Sequence, residues 1–182
     1  MKKIILAASV ILSVATMSVA SAQENKTEKK EMNKEARKLR KTSDQGDVNL
    51  AVKTQFEQDF PGATNAVFVQ AKSYAIVSFK DGTKMKKAYY DFNNQLIGTT
   101  QKKTFAEIPP TAQAEIKKRY PGYTVTNVIK YDDNENNDTD MVIYDLPFSD
   151  SDNFFVELKS GTSDKIVKVD LSGDVSLFKD IS

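Results

Sequence analysis

The chain has 182 residues, with 26 Lys and Arg against 25 Asp and Glu, and it contains neither cysteine nor histidine. A formal charge of +1 argues against a dedicated nucleic-acid binder, whose affinity rests on an excess of basic side chains neutralising phosphates. The missing imidazoles and thiols remove Cys and Ser–His nucleophile systems, the usual zinc, copper and haem ligands, and any disulfide staple, so stability must come from burial.

Lys2 and Lys3 precede an apolar run from Ile4 to Val19 that is softened by Ser and Thr and closed by Ala20-Ser21-Ala22. That order reads as a secretory signal peptide over residues 1–22, cleaved after Ala22. A membrane anchor would need about 20 strongly apolar residues. A periplasmic or secreted location is therefore expected, with no transmembrane segment after cleavage. Residues 23–47 read as a charged flexible arm: eight Lys/Arg and three Glu lie between positions 26 and 41. Met32, Ala36 and Leu39 are too few apolar residues to offset the entropy of ordering it. The bland reading is a solvated linker, and the functional one is attraction to anionic envelope polymers.

Residues 48–104 read as a first folded unit. Asp47 is the expected N-cap of a helix whose apolar stripe is Val48, Ala51, Val52, Phe56 and Phe60, ended by Pro61-Gly62. Strand chemistry follows at 66–71, 74–80, 83–92 and 95–100, with hairpin signals at Asp81-Gly82 and Asn93-Asn94. Residues 105–182 repeat that order. Pro110 suits a first helical turn, Ala112, Ile116 and Tyr120 form the stripe, and strands are expected at 123–131, 153–159, 164–171 and 174–178.

The two units share short motifs. Asp59-Phe60-Pro61-Gly62 returns as Arg119-Tyr120-Pro121-Gly122, and Phe79-Lys80-Asp81-Gly82-Thr83 returns as Leu158-Lys159-Ser160-Gly161-Thr162. The second unit carries extra residues between its first two matched strands, an acidic hairpin over 132–150. Matching positions Ala75, Val77, Phe79, Ala88, Tyr90 and Phe92 with Phe154, Val156, Leu158, Val167, Val169 and Leu171 gives an apolar face expected to lie under the helices. The opposite face is mixed.

The F/Y-P-G helix ends, Asp81-Gly82 and Ser160-Gly161, and the turns Asp91-Phe92-Asn93-Asn94 and Asp170-Leu171-Ser172-Gly173 resemble the PepSY-like family related to β-lactamase-inhibitor protein, over roughly residues 48–180. The resemblance implies an α+β fold of two tandem repeats, each a helix followed by a four-stranded antiparallel meander. Together they would form one curved sheet with helices on the convex side and a concave face able to grip a protein. It implies no catalytic residues. The known inhibitor has a disulfide in each repeat and this chain has no cysteine, so fold carries over more readily than β-lactamase inhibition.

Two candidate sites follow. Tyr74, Ile76, Lys87, Tyr89, Phe155 and Ile166 fall on the sheet face away from the helices. Aromatic anchors interleaved with charge suit a protein interface, while ordinary cross-strand pairing is the plain alternative. In the acidic hairpin, Asp132, Asn134, Asn136, Asp138 and Asp140 fall at the alternating positions of a calcium loop. Asn137 stands where that loop needs Gly, and Ile143 where it needs a bidentate Glu. The expected function is an exported, non-catalytic binding module for an unidentified envelope or secreted protein, working through the open face and the 132–150 hairpin. No cofactor is expected. Calcium or a small ligand at the acidic hairpin is the alternative.

Overall fold

A computed structural model describes Lys30, Lys34 and residues 48–149, 151–161 and 163–181. The signal peptide expected over 1–22, and the arm expected over 23–47 but for those two lysines, lie outside the described residues. No described helix is long and apolar enough to cross a membrane.

Helix α1 (Leu50–Asp59) is capped by Asn49, whose side-chain oxygen accepts the Ala51 N–H at 3.0 Å. The expected cap at Asp47 is therefore displaced: Val48 stands outside the helix and is buried against it. At the other end the Phe60 N–H closes on the Phe56 carbonyl, and Pro61-Gly62 turns the chain. Strands β1 (Thr64–Gln70), β2 (Ala75–Asp81), β3 (Lys84–Tyr90) and β4 (Leu96–Lys103) follow, each antiparallel to the next.

A short 3-10 turn at Phe105–Glu107 leads to α2 (Pro110–Arg119), which opens on proline as a first helical turn allows. Then come β5 (Thr124–Asp133), the short strands β6 (Met141–Ile143) and β7 (Leu146–Phe148), β8 (Asn153–Ser160), β9 (Ser163–Asp170) and β10 (Val175–Asp180). The main sheet has eight strands in the order β1-β2-β3-β4-β5-β8-β9-β10. Strands β6 and β7 form a separate two-stranded sheet. Both outer strands of the main sheet, β1 and β10, break register once, at Thr64/Val67 and Leu177/Lys179. Such irregularities discourage edge-to-edge pairing with another chain.

Period-two alternation puts one set of strand side chains under the helices. Val52 and Phe56 of α1 close on Ala75, Val77, Phe79, Ala88 and Tyr90. Ala112 and Ile116 of α2 close on Val128, Phe154, Val156, Leu158, Val167 and Val169. Each such large apolar side chain contributes about 1.5–3 kcal/mol when fully buried, before entropy. Phe92 and Leu171 depart from the expected pattern: they are 77% and 56% exposed. Strands β3 and β9 end two residues and one residue earlier, at Tyr90 and Asp170, because Asp91 and Asp170 take over the backbone. The Asp91 carboxylate accepts from Asn93 and Gln95 N–H, and Asp170 from Gly173 and Asp174 N–H, so the following residue is carried out on a turn.

Glu107 ties down the link between β4 and α2. Its carboxylate accepts from the Thr104 N–H at 2.7 Å and from Lys103 Nζ at 3.1 Å, which with the Thr104 hydroxyl holds its pKa down at about 2. A carboxyl depressed on folding stabilises above its unfolded value and loses that contribution as pH falls through its folded value. Wild type should therefore exceed Glu107→Gln in urea midpoint at neutral pH, and the gap should close as pH falls from the ordinary glutamate range towards about 2. A gap that is the same at every pH would assign Glu107 no titrating role.

Candidate functional site: the helix-free sheet face and its hairpin

The face away from the helices is not open across its whole width. Phe155 and Ile166, expected as exposed anchors, are each 0% exposed, and Ile76 is buried as well. Tyr74, Lys87 and Tyr89 are half-buried. The cause is the inserted hairpin, which folds back over the second half of the sheet. Met141 pairs with Phe148 across β6 and β7, and both are buried with Ile97, Tyr131, Phe155 and Ile166 in a third core. The Phe148 ring lies edge-on to Phe155 and to Tyr131, each at 5.0 Å, and Phe178 of β10 closes the far side 4.9 Å from Phe155. Val142 and Pro147, one residue along on each strand, point outward.

The turn of this hairpin is Tyr144-Asp145, and both residues have positive φ, 51° and 63°. That is the backbone of a type I′ turn, for which tyrosine has no intrinsic preference. Tertiary bonds supply the preference. The Tyr144 hydroxyl donates to Glu157 Oε1, which also accepts from Asn127 Nδ2 at 2.9 Å. Burial, then the Glu157 carboxylate, push the Tyr144 hydroxyl's pKa well above the usual tyrosine range. Lys179 Nζ donates to the Tyr144 carbonyl at 2.6 Å and lies 3.4 Å from the Asp145 carboxylate. Sequence reasoning missed Tyr144 and Lys179. The signal was the alternation Met141, Ile143 and Leu146, Phe148 about a two-residue turn, hidden by the acidic run before it.

The rim between hairpin and first half is built by tyrosines. Tyr74 and Tyr89 meet edge to face at 6.2 Å, and the Tyr74 hydroxyl accepts the Val142 N–H at 2.8 Å. Burial raises the Tyr74 pKa, against the lowering effect of that hydrogen bond. Tyr89 bonds Thr100 through its hydroxyl at 3.1 Å.

The five calcium-loop positions have different surroundings. Asp132 lies in β5 with Lys130 on its carboxylate. Asn134 Nδ2 donates to the Leu96 carbonyl at 2.6 Å, which pins the loop to β4. Asn136, Asp138 and Asp140 are exposed. Asn137, the position where a calcium loop needs Gly, is buried, its amide donating to Leu96 O at 3.1 Å and Asp91 Oδ2 at 3.3 Å. Among the described residues no group of three acidic side chains could hold a metal.

Fold and face together define an α+β scaffold: a broad antiparallel sheet with two helices on one face and a clasped hairpin on the other. Among solved structures it is similar to a BLIP-like protein from Bacteroides fragilis, with a TM-score of 0.59 and 16% identity over 76% of this chain and 89% of that one. It is also similar to DUF2874 family proteins from Bacteroides uniformis and Bacteroides ovatus. Their TM-scores are 0.60 and 0.57, at 15% and 14% identity over 74% and 72% of this chain and 90% and 89% of theirs. Likeness at this identity is one of fold. No protein-family model matches the chain, and no curated protein matches it.

Proposed function

We propose that this is an exported, non-catalytic protein-binding module built from two tandem helix-plus-meander repeats. Its contact surface is the first-half sheet face joined to the outer side of the hairpin. The observation that carries the reading is the join itself: Val142, 38% exposed on the hairpin, is held by its N–H to Tyr74, which packs on Tyr89 of the neighbouring face. Rigid aromatic rings beside an exposed aliphatic residue suit a protein interface, since they supply area at low entropic cost. The fold likeness to a BLIP-like protein supports a binding role. Export is supported by the leader-like start and by a Bacteroides eggerthii structure of TM-score 0.60 and 13% identity over 75% of this chain and 91% of that one, whose description gives a periplasmic location provisionally.

The test is affinity capture from the producing cell's envelope fraction and medium, with residues 23–182 as bait and Val142→Asp with Tyr89→Ala as the control. Both baits must first show the same circular dichroism spectrum. One protein retained by the wild type and lost by the control is the expected result. A protein retained equally by both would place the interface elsewhere, and no retained protein at all would remove the binding role.

A further inference from the structure

Two side chains on the helix-free face are buried more deeply than the three apolar cores explain. Val69 of β1 stands opposite Ile76 of β2, which also pairs with Tyr89, while the adjacent Phe68 and Val77 turn to the helix side. Strand β1 is outermost in the sheet, so Val69 has a neighbouring strand on one side only. It is nevertheless 3% exposed, and Ile76 is 7% exposed. Neither belongs to any of the three cores. Among the described residues, the core under the hairpin extends towards them only as far as Tyr74 and Tyr89.

The chain's own N-terminal arm has the chemistry to cover this pair. Lys30 and Lys34, its described residues, are helical and exposed. A helix through both carries Met32, Ala36 and Leu39, spaced four and three residues apart, on its opposite side. Three such residues cannot hold a short helix in water, but against a preformed apolar floor they remove surface from water on both partners. The arm also ends in the right place. It joins the body at Val48, which is buried with Ala75 and Tyr90, each one residue from Ile76 or Tyr89 but on the helix side of the sheet. The polar residues 42–47 reach about 20 Å when extended, and packed layers lie about 10 Å apart, so the arm can pass round the strand ends to the other face. Charge agrees: Asp138 and Asp140 are exposed on the approach to the hairpin, with Asp140 near Tyr74, and the arm holds eight Lys and Arg between positions 26 and 41. We propose that residues 26–41 pack as an amphipathic helix across Val69 and Ile76, with Met32, Ala36 and Leu39 inward. The arm then occupies part of the surface that the partner protein uses, and the two compete; that consequence rests on the protein-binding reading.

Hydrogen exchange read by mass spectrometry on residues 23–182 tests the contact, with a free peptide of residues 23–47 as reference. Arm amides in the wild type should exchange about tenfold more slowly than in the free peptide. Met32→Ser with Leu39→Ser should bring them to the free-peptide rate and speed exchange at Val67 to Gln70 of β1. Lys30→Ser with Lys34→Ser lowers helix propensity by a similar amount on the outer side and should leave protection within about twofold. Arm amides at the free-peptide rate in the wild type, or equal losses in the two doubles, would overturn the docking. So would protection that rises with protein concentration, which places the arm on a second copy. Protection seen only with phosphatidylglycerol vesicles would overturn it too, by assigning the arm to a membrane surface. An unprotected arm in a chain that still captures its partner removes this inference alone. A protected arm in a chain that captures nothing supports the docking and removes the protein-binding reading.

Discussion

Phe155→Ala is expected to lower unfolding free energy by about 3–5 kcal/mol, the range for deleting a buried aromatic ring. Phe155 is 0% exposed and sits between Phe148 of the hairpin and Phe178 of β10, with Tyr144 at 6.4 Å. Its removal opens a cavity on the hairpin side of the sheet only. Urea unfolding should report the global loss, and limited chymotrypsin digestion should show earlier cleavage at Tyr144, the turn whose footing has been weakened. Phe155→Asp should be worse still, because it puts a carboxylate among the apolar side chains of that core. On an open sheet face the same substitutions would cost well under 1 kcal/mol. A near-neutral result for Phe155→Ala would therefore mean that the hairpin does not cover this face in solution.

The second large effect is expected at Gly98, in β4 beneath the root of the hairpin. A Cβ there would lie 2.5 Å from the Tyr131 hydroxyl oxygen, 2.7 Å from its ring and 2.7 Å from the Asp132 carbonyl oxygen of the paired strand. The tyrosine could swing only by giving up its bond to the Asp133 carboxylate at 2.9 Å and its packing on Phe148. The backbone carbonyl could move only by disturbing the β4–β5 ladder that joins the two halves. Gly98→Ala should cost about 1–3 kcal/mol, the range for overpacking a close-packed interior. Pairing it with Tyr131→Phe separates the two causes. If the hydroxyl contact dominates, the double variant recovers part of the loss, and if the carbonyl contact dominates it recovers none. A Gly98→Ala protein as stable as wild type would show that the strands separate here without cost.

Local pattern was enough to place nearly every element. The stripe Val52, Phe56 and its counterpart Ala112, Ile116 gave the helices, because a 3.6-residue period leaves one buried side. The alternation Ala75, Val77, Phe79 and Phe154, Val156, Leu158 gave the strands and the face under the helices. Gly82, Gly161 and Gly173 mark turns where φ is positive, 58°, 54° and 97°. These features are legible because each depends on neighbours within a few positions along the chain. Phe92 and Leu171 misled for a local reason: they continue the apolar alternation, but an aspartate just before each captures the turn's N–H groups and ends the strand.

The candidate site was legible in composition and illegible in arrangement. Tyr74, Lys87 and Tyr89 lie at the surviving rim, while Phe155 and Ile166 went to a core built with Met141 and Phe148. Nothing near Phe155 in the chain distinguishes a ring awaiting a partner from one covered by the chain's own insert, since both need an exposed-looking aromatic on a mixed strand. The choice is made by contacts between residues far apart in sequence: Tyr144 with Glu157, Lys179 with Tyr144, and Val142 with Tyr74 across 68 positions. The amino-acid order by itself determined two amphipathic helices, antiparallel strands with one face turned to those helices, and a chemistry without imidazole or thiol. Only the tertiary structure decided that the acidic insert closes over half of the other face, because burying Met141 and Phe148 on Phe155 and Ile166 removes apolar surface from water that neither segment could hide alone.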